Sequence, residues 1–404
     1  MKQNRRQFIN KTLAGLATMS VSPGVLGRNV TFANESYESK PWIELSKAAY
    51  LHNASQISQM AAGKPIVAVL KNNAYGLGEV QVAQLLDQSS HIFGMAVVKD
   101  ESALAMRSSG VIKPILLMGD FDAALADSLR QQNITLSIFS RESLKKVRQI
   151  AKDSSQVVQV ALYIDTGLGR MGIPYQEAIS IAKEIAGTNH LSITQTFSTL
   201  TTPKDFAQVQ IDRFDKITNE LEKKGVPTGL KHLAPSYSIL DISVSHQDAV
   251  RPGILLHGSF PLANMSEAEK YPLQVPYRLK APVIRLEKLK AGDTIGFSRF
   301  YQVEQDEWIA TLPIGWADGY DSGAENGAKV LLAGKLYPVV NVNASHANIA
   351  LGANTKVKVG DVATLIGPEH SEITPEGFGK LVKGHNYLQI NYKESITKQV
   401  YETF

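Results

Sequence analysis

The sequence contains no cysteine. That excludes a disulfide-stapled secreted domain and a lipid-modified lipoprotein, so stability must come from packing. It also lacks any long basic block: the net charge of +4 is spread thinly over 404 residues, which gives nucleic-acid binding no support. No acidic residue occurs before Glu35. No run is long enough to cross a bilayer at the N-terminus, because the apolar stretch from Thr12 to Gly27 is short and is broken by Pro23 and Gly24. Nor does a glycine-rich dinucleotide loop follow the first strong strand, which weighs against a doubly wound sheet.

What is present begins with Asn4-Arg5-Arg6-Gln7-Phe8-Ile9-Asn10-Lys11, paired arginines ahead of a weakly hydrophobic segment. This resembles a twin-arginine export signal, with Thr31-Phe32-Ala33 as its cleavage site. Residues 1–33 are therefore expected to be a signal peptide, with a periplasmic destination and no stable membrane insertion once it is removed. The length suffices for two domains, each with its own core.

The rest is organised around Ile66-Val67-Ala68-Val69-Leu70-Lys71-Asn72-Asn73-Ala74-Tyr75-Gly76-Leu77-Gly78. Its first five residues form a continuous apolar run, the pattern of a strand buried on both faces. The asparagines and glycines that follow force the chain out of the sheet, so Lys71 is presented at the strand's carboxyl edge. Burial of an ammonium lowers its pKa, and a neutral amine condenses with aldehydes. A snorkelling lysine is the bland alternative.

Strand and helix patterns then alternate over about two hundred residues, the rhythm of a parallel barrel. Expected strands include Ile92–Val97, Ile115–Gly119, Thr135–Ile138, Val157–Ile164 and Leu191–Thr194. Beyond Pro272 short strands separated by glycine turns take over, and helical stretches become scarce. The expectation is a (β/α)8 barrel of the TIM type over 41–271 followed by a mainly β domain over 272–404.

The segment from Lys71 to Gly78 resembles the pyridoxal-phosphate lysine motif of the alanine racemase family, and the resemblance extends over most of the chain. It implies that Lys71 carries pyridoxal 5'-phosphate and that Tyr75 contacts its phosphate. It identifies Ser236, in His232-Leu233-Ala234-Pro235-Ser236, and the backbone of Gly253 and Ile254 as further phosphate ligands. Arg251 of Val250-Arg251-Pro252-Gly253-Ile254 is implied to face the pyridine nitrogen. There a fixed guanidinium keeps that nitrogen unprotonated and the ring a weak electron sink, which suits racemisation. Arg170 of Asp165-Thr166-Gly167-Leu168-Gly169-Arg170 matches the substrate-side arginine. Ala344 and Tyr301 are the substrate-side positions in the β domain. The family's dimeric arrangement implies a homodimer whose subunits share active sites, acting on a small amino-acid substrate.

Several positions depart from the family pattern. Tyr163 replaces a lysine that many members carbamylate, as in members of broad substrate range. Thr196 falls where a ring-stacking histidine is usual, Pro235 replaces an asparagine, and Trp316 replaces a tyrosine. In Val342-Asn343-Ala344-Ser345-His346, Ser345 replaces an Asp or Asn. Most consequentially, Phe297 stands at the tyrosine that serves as second acid/base. Racemisation needs one group on each face of the α-carbon, and phenylalanine has no proton to give. Three readings follow: an exported racemase of alanine or broad specificity with Lys71 as one base and Tyr301 or water as the other; a single-base lyase or aldolase; or a cofactor-binding protein without turnover.

Overall fold

The computed structural model describes residues 39–152, 156–261, 267–383 and 392–404. The expected signal peptide lies outside them.

Seven parallel strands follow one another in both sequence and space: Ile66–Val69, Ile92–Val97, Ile115–Leu117, Ile134–Ile138, Val158–Asp165, Leu191–Phe197 and Leu230–His232. Ala249 bridges in parallel to His232, and Val250 to Ile66, so this pair takes the eighth position and closes the barrel. Hydrogen bonds from Val67 N–H to the Val250 carbonyl and from Val69 N–H to the Pro252 carbonyl, both 2.9 Å, carry the closure up to the carboxyl edge of the first strand. The strands 230–232 and 249–250 are too short to show as sequence patterns.

Strand parity divides the apolar residues into two populations. Ile66, Ala68 and Leu70 face the helical layer with Met95, Val97 and Leu162. Val67, Val69, Ala96, Leu116, Ala161, Tyr163 and Phe197 fill the barrel interior, as expected of a packed barrel rather than a pore. The helix Lys47–Met60 is capped by Ser46, whose Oγ accepts from Ala49 N–H at 3.3 Å, and it leads into the first barrel strand.

The second region is a nine-stranded, mostly antiparallel sheet. Its order contains one surprise. Trp42–Ser46, which the sequence places at the head of the barrel segment, pairs antiparallel with Tyr277–Pro282 and parallel with Thr397–Tyr401. A short buried strand reads the same whichever sheet receives it; membership is decided by partners more than two hundred residues away. The chain thus begins its described course in the β sheet and crosses to the barrel through the helix Lys47–Met60.

Candidate active site

After Leu70 the backbone winds with the opposite hand. Asn72, Asn73, Ala74 and Tyr75 have φ of 53°, 56°, 48° and 59°, one left-handed turn built from non-glycine residues. Such a conformation costs roughly 1–2 kcal/mol per residue, least for asparagine. It is held by Ala74 N–H to the Leu70 carbonyl at 3.0 Å and Gly76 N–H to the Asn72 carbonyl at 3.1 Å. Asn73 Oδ1 also accepts from Glu79 N–H at 3.1 Å, tying the turn to the start of the next helix. The turn brings Lys71 Nζ to 5.8 Å from the centre of the Tyr75 ring, so both side chains face one cleft. Burial lowers the Lys71 pKa, and the Arg170 and Arg251 guanidinium groups lower it further.

Across the cleft, Gly253 N–H donates to Ser236 Oγ at 3.0 Å. A Cβ at Gly253 would lie 2.0 Å from the Tyr75 hydroxyl, so only glycine lets that hydroxyl approach the backbone. Tyr75 Oη, Ser236 Oγ and the backbone at Gly253 and Ile254 form a small cradle of donors, the chemistry that holds a phosphate. Beneath it lies His257, 5.2 Å from Tyr75 between ring centres, with its Nδ1 3.1 Å from the Tyr50 hydroxyl.

Arg251 is buried at the cleft floor. Its Nη1 donates to His232 Nδ1 at 2.6 Å and to the His232 carbonyl at 3.3 Å. Its Nη2 donates to the Ser198 carbonyl at 2.7 Å and Thr199 Oγ1 at 2.8 Å. Burial pulls its pKa down to about 10, still high enough to keep the charge at neutral pH. Arg170 reaches the cleft from the other side, on a turn whose Gly167 and Gly169 N–H groups donate to Asp165. It is solvent-exposed and has no ion-pair partner among the described residues.

Lys71, Tyr75, Arg170, Ser236, Arg251, Gly253 and Ile254 therefore share one cavity of about 730 Å³. Tyr301 and Ala344 do not join them. They line a separate cavity of about 260 Å³ with Phe297, in the β region. The Tyr301 hydroxyl donates to Glu307 Oε1 at 2.6 Å, and burial together with that carboxylate pushes its pKa up. Within one chain it is therefore no acid for the Lys71 cleft; the expected sharing of sites between two subunits would have to bring it there.

Thr196 also lies away from the cleft. Its hydroxyl donates to the Thr228 carbonyl at 2.6 Å, outside the cleft, and the inward aromatic is its neighbour Phe197. The rings of Tyr163, Phe197 and His232 stack in a column, with centroid spacings of 4.3 and 5.1 Å. The Arg251 guanidinium sits 5.0 Å from the Phe197 ring centre. Sequence reasoning gave no role to His232, Phe197 or Gln195.

The residues present fit pyridoxal phosphate: a depressed amine for the aldehyde, a glycine-opened donor cradle for the phosphate, and a buried guanidinium for the ring nitrogen. The family models for the alanine racemase N-terminal and C-terminal domains match residues 45–261 and 277–401. The chain belongs to the alanine racemase family. Members of that family are pyridoxal-phosphate-dependent isomerases, and this chain is an amino-acid racemase by the same membership. It is 31% identical over 367 residues to an alanine racemase of Desulforamulus reducens, covering 89% of this chain and 98% of the relative. The alanine racemase structure from Clostridium difficile 630 superposes with a TM-score of 0.82 at 25% identity, covering 90% of this chain and 96% of that one. A histidine racemase from Leuconostoc mesenteroides subsp. sake gives 0.80 at 27% identity, covering 90% and 98%. These relatives carry racemase names, so the lyase reading of Phe297 is without support and is set aside.

Proposed function

We propose that the protein is an exported amino-acid racemase of broad substrate range, working as a homodimer in which the Phe297 cavity of one copy covers the Lys71 cleft of the other. The observation that carries the dimer is the separation of Ala344 and Tyr301 from the Lys71 cleft within one chain. Around the second cavity Phe297, Phe300 and Trp316 are 100%, 88% and 56% exposed, an aromatic patch of the kind that marks an association surface.

Bound pyridoxal phosphate supplies an aldehyde for the amine and a conjugated ring that spreads charge from the α-carbon. Lys71, its pKa lowered by burial and by two guanidinium groups, moves the proton on its own face of the substrate. Arg170 holds the substrate carboxylate, and Arg251 holds the ring nitrogen unprotonated. On the opposite face Phe297 offers no proton, and solvent held in the second cavity carries it. Tyr163 in place of a lysine is a change shared with family members of broad substrate range, which supports that specificity. Export rests on the Arg5-Arg6 pair, and a signal that passes folded proteins suits an enzyme loaded with its cofactor beforehand.

The test incubates the cofactor-loaded protein with a panel of L-amino acids in deuterated water. Antipode carrying α-deuterium, from more than one substrate, is expected. Absence of antipode from every member, with borohydride still fixing cofactor to Lys71, overturns the racemase reading. Sedimentation at assay concentration tests the dimer, and fractionation of wild type against an Arg5→Lys/Arg6→Lys double variant tests export.

A further inference from the structure

Gln195 is buried in the barrel wall, and no step above uses it. It arrives there by a bulge. Val160 is level with Ile193, but Ala161 is level with Gln195, so Thr194 is the extra residue. The parity of the strand changes at that point: Ile193 packs toward the helices, whereas Gln195 and Phe197 stand opposite the interior residues Ala161 and Tyr163. The bulge presses on the neighbouring strand entrance, where Gly229 has φ of 59° and a Cβ would lie 2.1 Å from the Thr194 carbonyl.

Once inside, Gln195 Oε1 lies 3.0 Å from His232 Nε2. The protons can be assigned from the partners alone. A guanidinium has only donors, so the 2.6 Å contact from Arg251 Nη1 requires a bare Nδ1 on His232. The imidazole therefore carries its single proton on Nε2 and donates it to the glutamine oxygen. Turning the amide over would set two donors against each other, so its orientation is fixed as well. Burial first, and the Arg251 charge second, hold His232 well below its ordinary pKa, in accord with a neutral ring.

We infer that Gln195 is a positioning residue: it locks His232 in the Nε2–H tautomer, and the Nδ1 lone pair so exposed seats Arg251. The consequence follows from counting donors. The four Nη hydrogens of Arg251 have four acceptors, namely His232 Nδ1, the His232 and Ser198 carbonyls, and Thr199 Oγ1. Nε–H is the donor left for a ring nitrogen. With the proton on Nδ1 instead, imidazole and guanidinium would face each other as two donors, and Arg251 would turn that Nε–H away. The catalytic consequence rests on the racemase reading; the tautomer does not.

The experiment is long-range proton–nitrogen NMR on [15N]histidine-labelled protein without cofactor, with His232 assigned by its loss in a His232→Gln variant. In wild type at pH 7 the assigned His232 is expected to show a bare Nδ1 and a protonated Nε2. A proton on Nδ1, or a doubly protonated His232 at pH 7, overturns the proposal, and this reading needs no variant to fold. Gln195→Glu keeps the shape but offers a carboxylate, so His232 should take up a second proton near neutrality. Gln195→Met removes the acceptor, so both tautomers should appear. Two variants with the wild-type spectrum also overturn it. In the loaded enzyme Gln195→Met should lower kcat roughly tenfold, with KM within about twofold, as expected for one misplaced charged donor. Its ratio of half-transamination to racemisation should rise, and Gln195→Glu should shift that ratio the same way.

Discussion

On the proposed dimer, the Lys71 cleft and the Phe297 cavity are two halves of the same chemistry built to different standards. In the first, Arg251 is tied by four acceptors, Ser236 by Gly253 N–H, and the turn that carries Arg170 by two backbone amides to Asp165. In the second, the aromatic residues are exposed, the acid position holds phenylalanine, and the one tyrosine hydroxyl nearby is committed to Glu307. Holding the cofactor and delivering the second proton are thus separable tasks, and this chain keeps the residues of the first while changing those of the second.

The widest gap between the halves should open on repairing the weaker one. Phe297→Tyr restores a proton to the exposed cavity, and the racemisation rate should rise roughly tenfold or more, since a positioned acid contributes that much or beyond. Borohydride labelling of Lys71 should not change. An unaltered rate would mean that the wild-type site already has an adequate donor there, and the contrast between the halves would dissolve. Damage to the stronger half should look different. Gly253→Ala drives a methyl against the Tyr75 hydroxyl, and overpacking costs about 1–3 kcal/mol. Cofactor retention on dialysis should weaken by roughly tenfold or more, with little change in the rate of the protein that remains loaded.

The contrast also governs what the sequence could show. Lys71, Tyr75, Ser236, Arg251 and Gly253 lie in contiguous motifs, and the structure brings them into one cavity. The barrel rhythm was legible because buried parallel strands are near-continuous apolar runs. What escaped was anything set by partners far along the chain. Trp42–Ser46 joins a sheet closed by residues beyond 270. The bulge at Thr194 depends on the strand beside it, so the inward role of Gln195 and the outward turn of Thr196 had no local sign. The left-handed turn from Asn72 to Tyr75 was foreseen only as a bend, because neither Ala74 nor Tyr75 favours that hand by itself.

Acid should separate the halves as well. Burial holds the His257 pKa down to about 3, against an ordinary value of 6.5. Below pH 6.5 the unfolded chain binds a proton that the folded chain refuses, so this contribution to stability falls as pH falls, until pH 3 is reached. At pH 5 the loss is about 2 kcal/mol relative to neutrality. His257→Leu should remove it, so that its denaturation midpoint drops less than that of wild type between pH 7 and 5. Because His257 underlies Tyr75, wild type should shed cofactor on the same acid limb, while the exposed Phe297 cavity is untouched. Equal acid sensitivity in the two proteins would contradict this reading.

The smallest effect tests whether the strength of the first half reaches into its backbone. Asn73 both tolerates a φ of 56° and caps the next helix through Glu79 N–H. Asn73→Ala loses the cap and gains left-handed strain, and it should cost about 1–2 kcal/mol in chemical denaturation. Asn73→Gly loses only the cap and should recover part of that, since glycine adopts this conformation freely. If alanine and glycine destabilise equally, the turn imposes no strain and its hand is fixed by the cleft around it. If alanine is clearly worse, the reversed hand is held against an intrinsic cost, and the position of Lys71 is maintained by the asparagine that follows two residues later.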